Sequence, residues 1–369
     1  DDAVLKNNVI DRIIRWIKNE STYQEDMVFR VSSIAPGTTI KKSKPREILI
    51  KENLNTILLE KGWINQFPGR GQWMYLGPYA TLFRAIQDYC KEKINELGFI
   101  ECLFPKMIHT DVMMRMKYFE GLPEGMFYVS FPEREPELFQ KFKAQLKIYN
   151  ELPLDTLEEA LNPPFAVLAP AQCEPFYQFF SKQILEKDAL PIKFCDYSGY
   201  TYRNEGGGTG GLERVSEFQR IETVYLGTPE MVEEIADKTQ DAFTTVCDGL
   251  GLEWFVEVGD DPFYLSGRKY DDKELQYPKI FKREIRVKTQ KDESISIGSV
   301  NVHGTHFVDG FKIKNNFHGD LWTGCTGFGV SRMVFVFLLY NGLDPKKWPE
   351  VVKKRVNDLP DIPKILNWP

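Results

Sequence analysis

The hydrophobic positions along this chain change period several times, and each change predicts an element. Residues 4–19, VLKNNVIDRIIRWIKN, place Val9, Ile13 and Ile17 on one face with Ile10 and Trp16 nearby, the pattern of an amphipathic helix. A turn-rich stretch around SSIAPGTTIKKSKPRE follows. The segment GPYATLFRAIQDYCKEKINELGFIECLFPKMI predicts a long helix stopped at Gly98, then a strand ending at Pro105. Residues 131–164 are charged, helical in pattern and bounded by prolines, and read as an insertion. Around 200–226 the period becomes two. Tyr200 to Glu205 alternates aromatic and polar side chains; downstream, Phe218, Arg220 and Glu222 point one way and Gln219, Ile221 and Thr223 the other. TPEMVEEIADKTQDAFTTVCDGLGL predicts a helix capped by Thr228, with Pro229 at its first position and glycine at its end. Strands are expected to about 316, after which WTGCTGFGVSRMVFVFLLYNGLD passes from a strand through glycines into a very apolar helix.

Between the two alternating stretches, Gly206, Gly208 and Gly211 satisfy the pattern G-x-G-x-x-G. A dinucleotide-binding loop must follow a buried parallel strand and open a helix. Alternating strands on both sides deny that context, so the glycines are expected to cap a long antiparallel hairpin. A phosphate loop of the G-K-[ST] kind is absent from the sequence. The order helix–strand–Pro, hairpin, strand–Gly–helix does not suit a βαβ sheet. It predicts an α+β fold, a largely antiparallel sheet with helices packed against it.

Composition changes this picture little. Hydrophobic residues make up 42% of the 369 positions and aromatics 13%, enough for a substantial core. The longest apolar run, Met333 to Tyr340, is too short to span a bilayer, so no membrane partner is expected. The acidic, then amphipathic start shows no signal peptide, and with no initiator Met the chain is expected to begin inside a longer protein. Six widely spaced cysteines point to a reducing, cytoplasmic setting rather than a disulfide framework. A net charge of −6 argues against a surface that coats nucleic acid, while the basic stretch Lys41 to Lys51 reads as a solvated linker.

Three segments in order carry a resemblance. LGFIECLFP, ending at Pro105, resembles the first motif of class II aminoacyl-tRNA synthetases, the dimer-interface element. YRNE with the glycine loop and EFQRIE resembles the second motif, and GFGVSR entering a helix resembles the third. PAQCEPFYQFF, GGLERVSEFQRIE and WTGCTGFGVSR narrow it, being similar to the methanogen-type seryl-tRNA synthetases, whose helical insert between the first two motifs fits residues 131–164. The resemblance implies a class II catalytic domain over 51–369, with 1–50 as the end of an N-terminal tRNA-binding module and its linker. It implies a homodimer that uses ATP, L-serine and tRNA(Ser).

The chemistry so implied is attack of an amino-acid carboxylate on the α-phosphate of ATP, which needs fixed positive charge around the phosphates. Arg203 and Glu205 lie two apart on the hairpin and can face one ligand. By the resemblance Arg203 meets the α-phosphate, Glu205 accepts from the adenine amino group, Arg214 covers the phosphate tail, and Val215 and Phe218 line the adenine. Arg332, at the mouth of an apolar helix, needs a partner on physical grounds; the family role is the γ-phosphate and the other adenine face, making Arg203 and Arg332 the catalytic pair. Cys173, Glu222 and Cys325 match the family's zinc ligands. Their long spacing carries no local metal signature, and on spacing alone each cysteine reads as a small buried hydrophobe rather than a ligand. Glu222 alternates in phase with Arg220, and Cys325 immediately precedes the third motif's glycines. Three protein ligands leave a fourth position, which in the family takes the serine amino group. Cys195 is the rival ligand. Ala171, Arg220, Glu222, Ser299 and Asn301 are expected around serine, with Arg220 on its carboxylate and His306 a further candidate; His303 and His109 read as structural. Mg²⁺ accompanies ATP, with Glu293 as its candidate ligand, although counting back from Gly310 puts Ser296 at the acid's place. The competing reading is a stand-alone ligase of the same fold that loads an amino acid onto a carrier protein.

Overall fold

The computed structural model describes residues 34–206, 209–259, 278, 280–290 and 293–363. The helix expected at 4–19 and Gly208 lie outside them. The fold is built on an eight-stranded sheet. Its strands in chain order are β1 (Thr39–Lys42), β2 (Ile100–Glu101), β3 (Ile192–Asp196), β4 (Ile221–Gly227), β5 (Trp254–Val258), β6 (Lys282–Lys288), β7 (Ser294–Gly304) and β8 (Trp322–Phe328). In space they run β1-β5-β6-β7-β8-β4-β3-β2. Every pairing is antiparallel except β2 with β3. The expected α+β architecture is therefore present.

Three long helices cover one face: α1 (Gly77–Asn95), α2 (Pro229–Gly249) and α3 (Val330–Asn341). Thr228 caps α2 by accepting from the Met231 amide, with Pro229 at the first position, as its sequence predicts. These helices share a core with Tyr225, Val300, Val302 and Phe328 from the sheet. The period of two sends the alternate residues Val224, Leu226 and Cys325 to a second core, which includes Phe176, Tyr177 and Phe307. All seven residues of β4 and of β8 are buried, because both faces of these central strands are covered. Gly324 permits this: a Cβ there would lie 2.2 Å from the Tyr225 ring.

Three details differ from the pattern. The hairpin is short, pairing Tyr200 with Gln219, Thr201 with Phe218 and Tyr202 with Glu217. At Arg220 the chain leaves it, and β4 enters the main sheet between β3 and β8. An alternating sequence cannot mark such a change of partner, because both sheets demand the same period. Next, part of the expected linker is strand: β1 forms the edge of the main sheet against β5. Ile50 is buried in the main core, so the folded unit begins before residue 51. Finally, a helix, His306–Phe311, stands where further strand was expected. The insertion is helical as expected, with helices Gln140–Tyr149 and Leu154–Ala160. It joins the body through the Asn162 amide to the Phe131 carbonyl (3.1 Å) and the Phe165 amide to the Val129 carbonyl (3.1 Å). Among the described residues no helix is long and apolar enough to cross a membrane.

Candidate active site and metal centre

Strand register builds the centre of the site. Glu222 on β4 stands opposite Gly327 on β8, which stands opposite Ser299 on β7. One row along, Val224, Cys325 and Asn301 are aligned in the same way. Side chains in adjacent rows on one face lie within reach of each other. Cys173 arrives from outside the sheet, at the start of the short helix Glu174–Phe179. One ligand atom each from Cys173, Glu222 and Cys325 all lie within 4.8 Å of one another. Gly327 leaves room for this, since a Cβ there would approach the Glu222 carboxylate to 3.0 Å.

The electrostatics of this cluster ask for a cation. Burial pushes the Glu222 carboxyl up to about 7, against the pull of Arg220. The Cys325 thiol is raised by its contact with Cys173 and by burial. At Cys173 the Cys325 contact pulls downward, but burial and the neighbouring carboxylates leave the thiol raised. As anions, two thiolates and a carboxylate packed out of water would repel one another, so they hold protons unless a cation takes the protons' place. Sulfur, sulfur and oxygen ligands with one remaining position match a catalytic zinc set. The residues present fit the group.

Arg220 closes the cluster on one side. Its Nη2 is 3.0 Å from Glu222 Oε2, and its Nε donates to Gln172 Oε1 at 3.3 Å. Glu174, fully buried, accepts from the Ala171 amide through Oε1 at 3.0 Å, and burial raises its carboxyl. On the far side Asn301 Nδ2 donates to Cys325 Sγ (3.5 Å) and to Ser299 Oγ (3.1 Å). His303 Nε2 lies 3.6 Å from the same sulfur, and burial holds the imidazole down at about 3, keeping it neutral. Thus Arg220, Ser299 and Asn301 gather at the cluster as expected, and Ala171 borders it through its amide. His303, read as structural, touches a cluster sulfur. Gln172 and Glu174 went unread although they flank Cys173 directly; a glutamate next to a cysteine in an apolar segment was the available signal. Cys195 is not a member. It pairs with Thr223, one residue off from Glu222 in a strand of period two, and so faces away. His109 is exposed at a helix start, and His306 is buried against Phe307.

The expected nucleotide residues surround the hairpin. Arg203 Nε donates to the Pro170 carbonyl at 3.3 Å, so this arm reaches back to the segment that carries Cys173. Glu205 and Arg214 pair with each other, Nε to Oε2 at 2.7 Å. Val215 is buried and Phe218 half-buried. Arg332 donates through Nε to the Glu213 carbonyl (3.0 Å) and through Nη1 to the Ser296 carbonyl (2.9 Å). Burial depresses its pKa while Glu205 and Glu284 oppose that shift. The partner it needs is thus backbone carbonyls supplemented by two carboxylates. Glu293 is exposed in the turn between β6 and β7, where its backbone closes the loop with Thr289 and Gln290. Glu284, which the sequence did not single out, pairs with Lys282 Nζ (3.1 Å) and Arg286 Nη1 (3.0 Å). A further latch was unread: Arg70 Nη1 donates to the Gly206 carbonyl, and the Ser216 amide to the Gly71 carbonyl at 2.9 Å. Gly71 has φ +69° and its Cβ would meet Ser216 Oγ at 2.7 Å, so glycine is required there.

With this geometry in place, comparison with known proteins decides the family. The tRNA synthetase class II core domain (G, H, P, S and T) matches residues 162–341. The type-2 serine–tRNA ligase of Methanococcus maripaludis is 48% identical over 376 residues, covering 100% of this chain and 73% of that protein. The chain belongs to the type-2 serine–tRNA ligases. The homologous ligases of Methanocaldococcus jannaschii and Methanopyrus kandleri are 46% and 44% identical, covering all of this chain and 72% and 73% of theirs. Among solved structures, M. kandleri SerRS in complex with A. aeolicus tRNASec superposes with a TM-score of 0.94 at 43% identity, over 100% of this chain and 73% of that one. A cytoplasmic serine–tRNA ligase from Naegleria fowleri (TM-score 0.66, 14% identity, 86% of this chain and 64% of that one) shares the fold. As a type-2 serine–tRNA ligase the chain is an enzyme of the class II synthetases.

Proposed function

We propose that this enzyme joins L-serine to tRNA(Ser) through a seryl-adenylate, with the serine amino group bound at a zinc ion held by Cys173, Glu222 and Cys325. The observation that carries the reading is the convergence of those three buried ligand atoms with Arg220 beside the hairpin of Arg203 and Glu205. When bound, zinc supplies a Lewis-acid position that keeps the amine neutral. Arg220 then faces the serine carboxylate, and Asn301 and Ser299 offer an amide and a hydroxyl toward the side-chain hydroxyl. A pocket with such groups rejects alanine and glycine by leaving its own polar atoms unpaired.

On the nucleotide side, a carboxylate oxygen of serine attacks the α-phosphorus. The bond to the bridging oxygen breaks, and pyrophosphate leaves. Arg203 stabilises charge on the α-phosphate, Arg214 and Arg332 cover the β- and γ-phosphates, Glu205 accepts from the adenine amino group, and Val215 and Phe218 pack the ring. For this the Glu205–Arg214 pair must open. Mg²⁺ enters with ATP. A hydroxyl at the tRNA end then attacks the seryl carbonyl, and AMP departs. The free edge of β2, with exposed Ile100 and Leu103 (62% and 76%), supports a homodimer formed there. All six cysteines are free, which supports the cytoplasm as its compartment.

Amino-acid-dependent exchange of pyrophosphate into ATP tests the reading. It is expected with serine alone and lost in Cys173→Ala, and the seryl group is expected on tRNA and not on a carrier protein. Exchange that survives Cys173→Ala with full serine dependence removes the metal role.

A further inference from the structure

Gln172 is buried completely and has φ +79°, a left-handed conformation that side chains other than glycine seldom take. Its amide is equally constrained. Oε1 accepts from Thr201 Oγ1 at 3.2 Å and from Arg220 Nε at 3.3 Å. The Arg220 donor fixes the orientation of the amide, since a guanidinium N–H can face only the carbonyl oxygen. Nε2 is consequently left buried with no hydrogen-bond acceptor among the described residues. It lies where the Cβ of any residue but glycine at 199 would be, 1.1 Å from that point. Gly199 also receives the Arg220 amide through its carbonyl at 3.3 Å. A strained backbone, an orphaned donor and an obligatory glycine are three unfavourable features spent on one contact.

We propose that Gln172, seated on Gly199, is a positioning residue that aims the Arg220 guanidinium at the substrate carboxylate. Glu222 holds the Nη2 end of that guanidinium at 3.0 Å, so once Glu222 turns to a metal, Gln172 is the side-chain hydrogen-bond acceptor among the described residues that keeps Arg220 in place. Thr201 ties the same oxygen to the hairpin that bears Arg203, which joins the placing of the two arginines. The inference rests on the proposed role of Arg220 in serine binding.

Calorimetric titration of the purified enzyme with serine and with ATP, alongside its zinc content, tests this. Gln172→Met keeps the volume and removes the acceptor. It is expected to weaken serine about ten- to a hundredfold, the range for losing a hydrogen bond to a charged group. ATP affinity, zinc content and Tm should stay near the wild-type values. Gly199→Ala should reproduce the serine defect. In an Arg220→Ala background Gln172→Met should cost nothing more, because the group it positions is gone. Unchanged serine affinity in Gln172→Met, or a loss that multiplies in the Arg220→Ala background, overturns the proposal. A wild-type enzyme that binds no serine overturns the proposed function itself.

Discussion

The two halves of the site are built differently. The proposed metal and serine half sits on β4, β7 and β8, in the middle of the sheet, with Cys173 added from outside it and Glu222 and Cys325 at 1% and 6% exposure. The proposed nucleotide half is carried by a two-stranded hairpin at the side, with Arg214 exposed and paired with Glu205, and by Arg332 at the start of α3. In the first, neighbours are fixed by strand register and cannot be changed without disturbing the core. In the second, the proposed reading has the Glu205–Arg214 pair open for ATP, while Arg332 is held by two backbone carbonyls. On the proposed reading, the difference teaches that a small amino acid is selected by fixed groups, whereas a triphosphate is met in part by an exposed arm that can close.

Removing one member of the buried cluster should break the comparison most sharply. Cys325→Ala or Glu222→Ala should abolish metal retention and lower serine-dependent exchange by ~10³-fold or more while ATP binding persists; metal analysis and ATP titration check both halves. Arg332→Ala is the counterpart on the other side. It should cost about 10²–10³-fold in kcat for exchange, with serine affinity and metal content retained.

The acid–base state of the metal ligands sharpens the contrast further. Without metal, the Glu222 carboxyl titrates at about 7 and both thiols are raised, so binding must expel protons. Apparent zinc affinity should therefore fall as pH drops through about 7 and rise on the alkaline side, as chelator competition would show. A pH-independent affinity contradicts the buried arrangement. Gly327→Ala pushes a methyl against the Glu222 carboxylate and should weaken metal binding by about tenfold. The smallest effect belongs to the outer pair. Glu205→Ala should change folding stability by less than about 1 kcal/mol, because its partner is over half exposed, yet raise KM for ATP and leave KM for serine alone.

Several of these residues are legible in the amino-acid order alone. The period of two around Phe218, Arg220 and Glu222 places arginine and glutamate side by side, and they do form an ion pair. The Thr228 cap, the glycine stop at residue 98 and the bounded insertion are equally clear, because each depends on interactions within a few residues. Cys173 could be matched to Cys325 only through likeness to a family. No local pattern links positions so distant, and the register turns Cys195, the rival that lacks the family match, to the other face.

Although the strand Thr39–Lys42 and the helix His306–Phe311 went against its pattern, the sequence by itself determined most of the helices and strands and which side chains share a face. Such properties follow from sterics and hydrogen bonds between near neighbours. Only the tertiary structure decided that β4 leaves its hairpin for the main sheet, that Cys195 faces away from Glu222, and that Gln172 takes hold of Arg220. Those outcomes depend on which distant strand supplies the next row of side chains and on how much room a glycine leaves there, and no short stretch of chain carries that information.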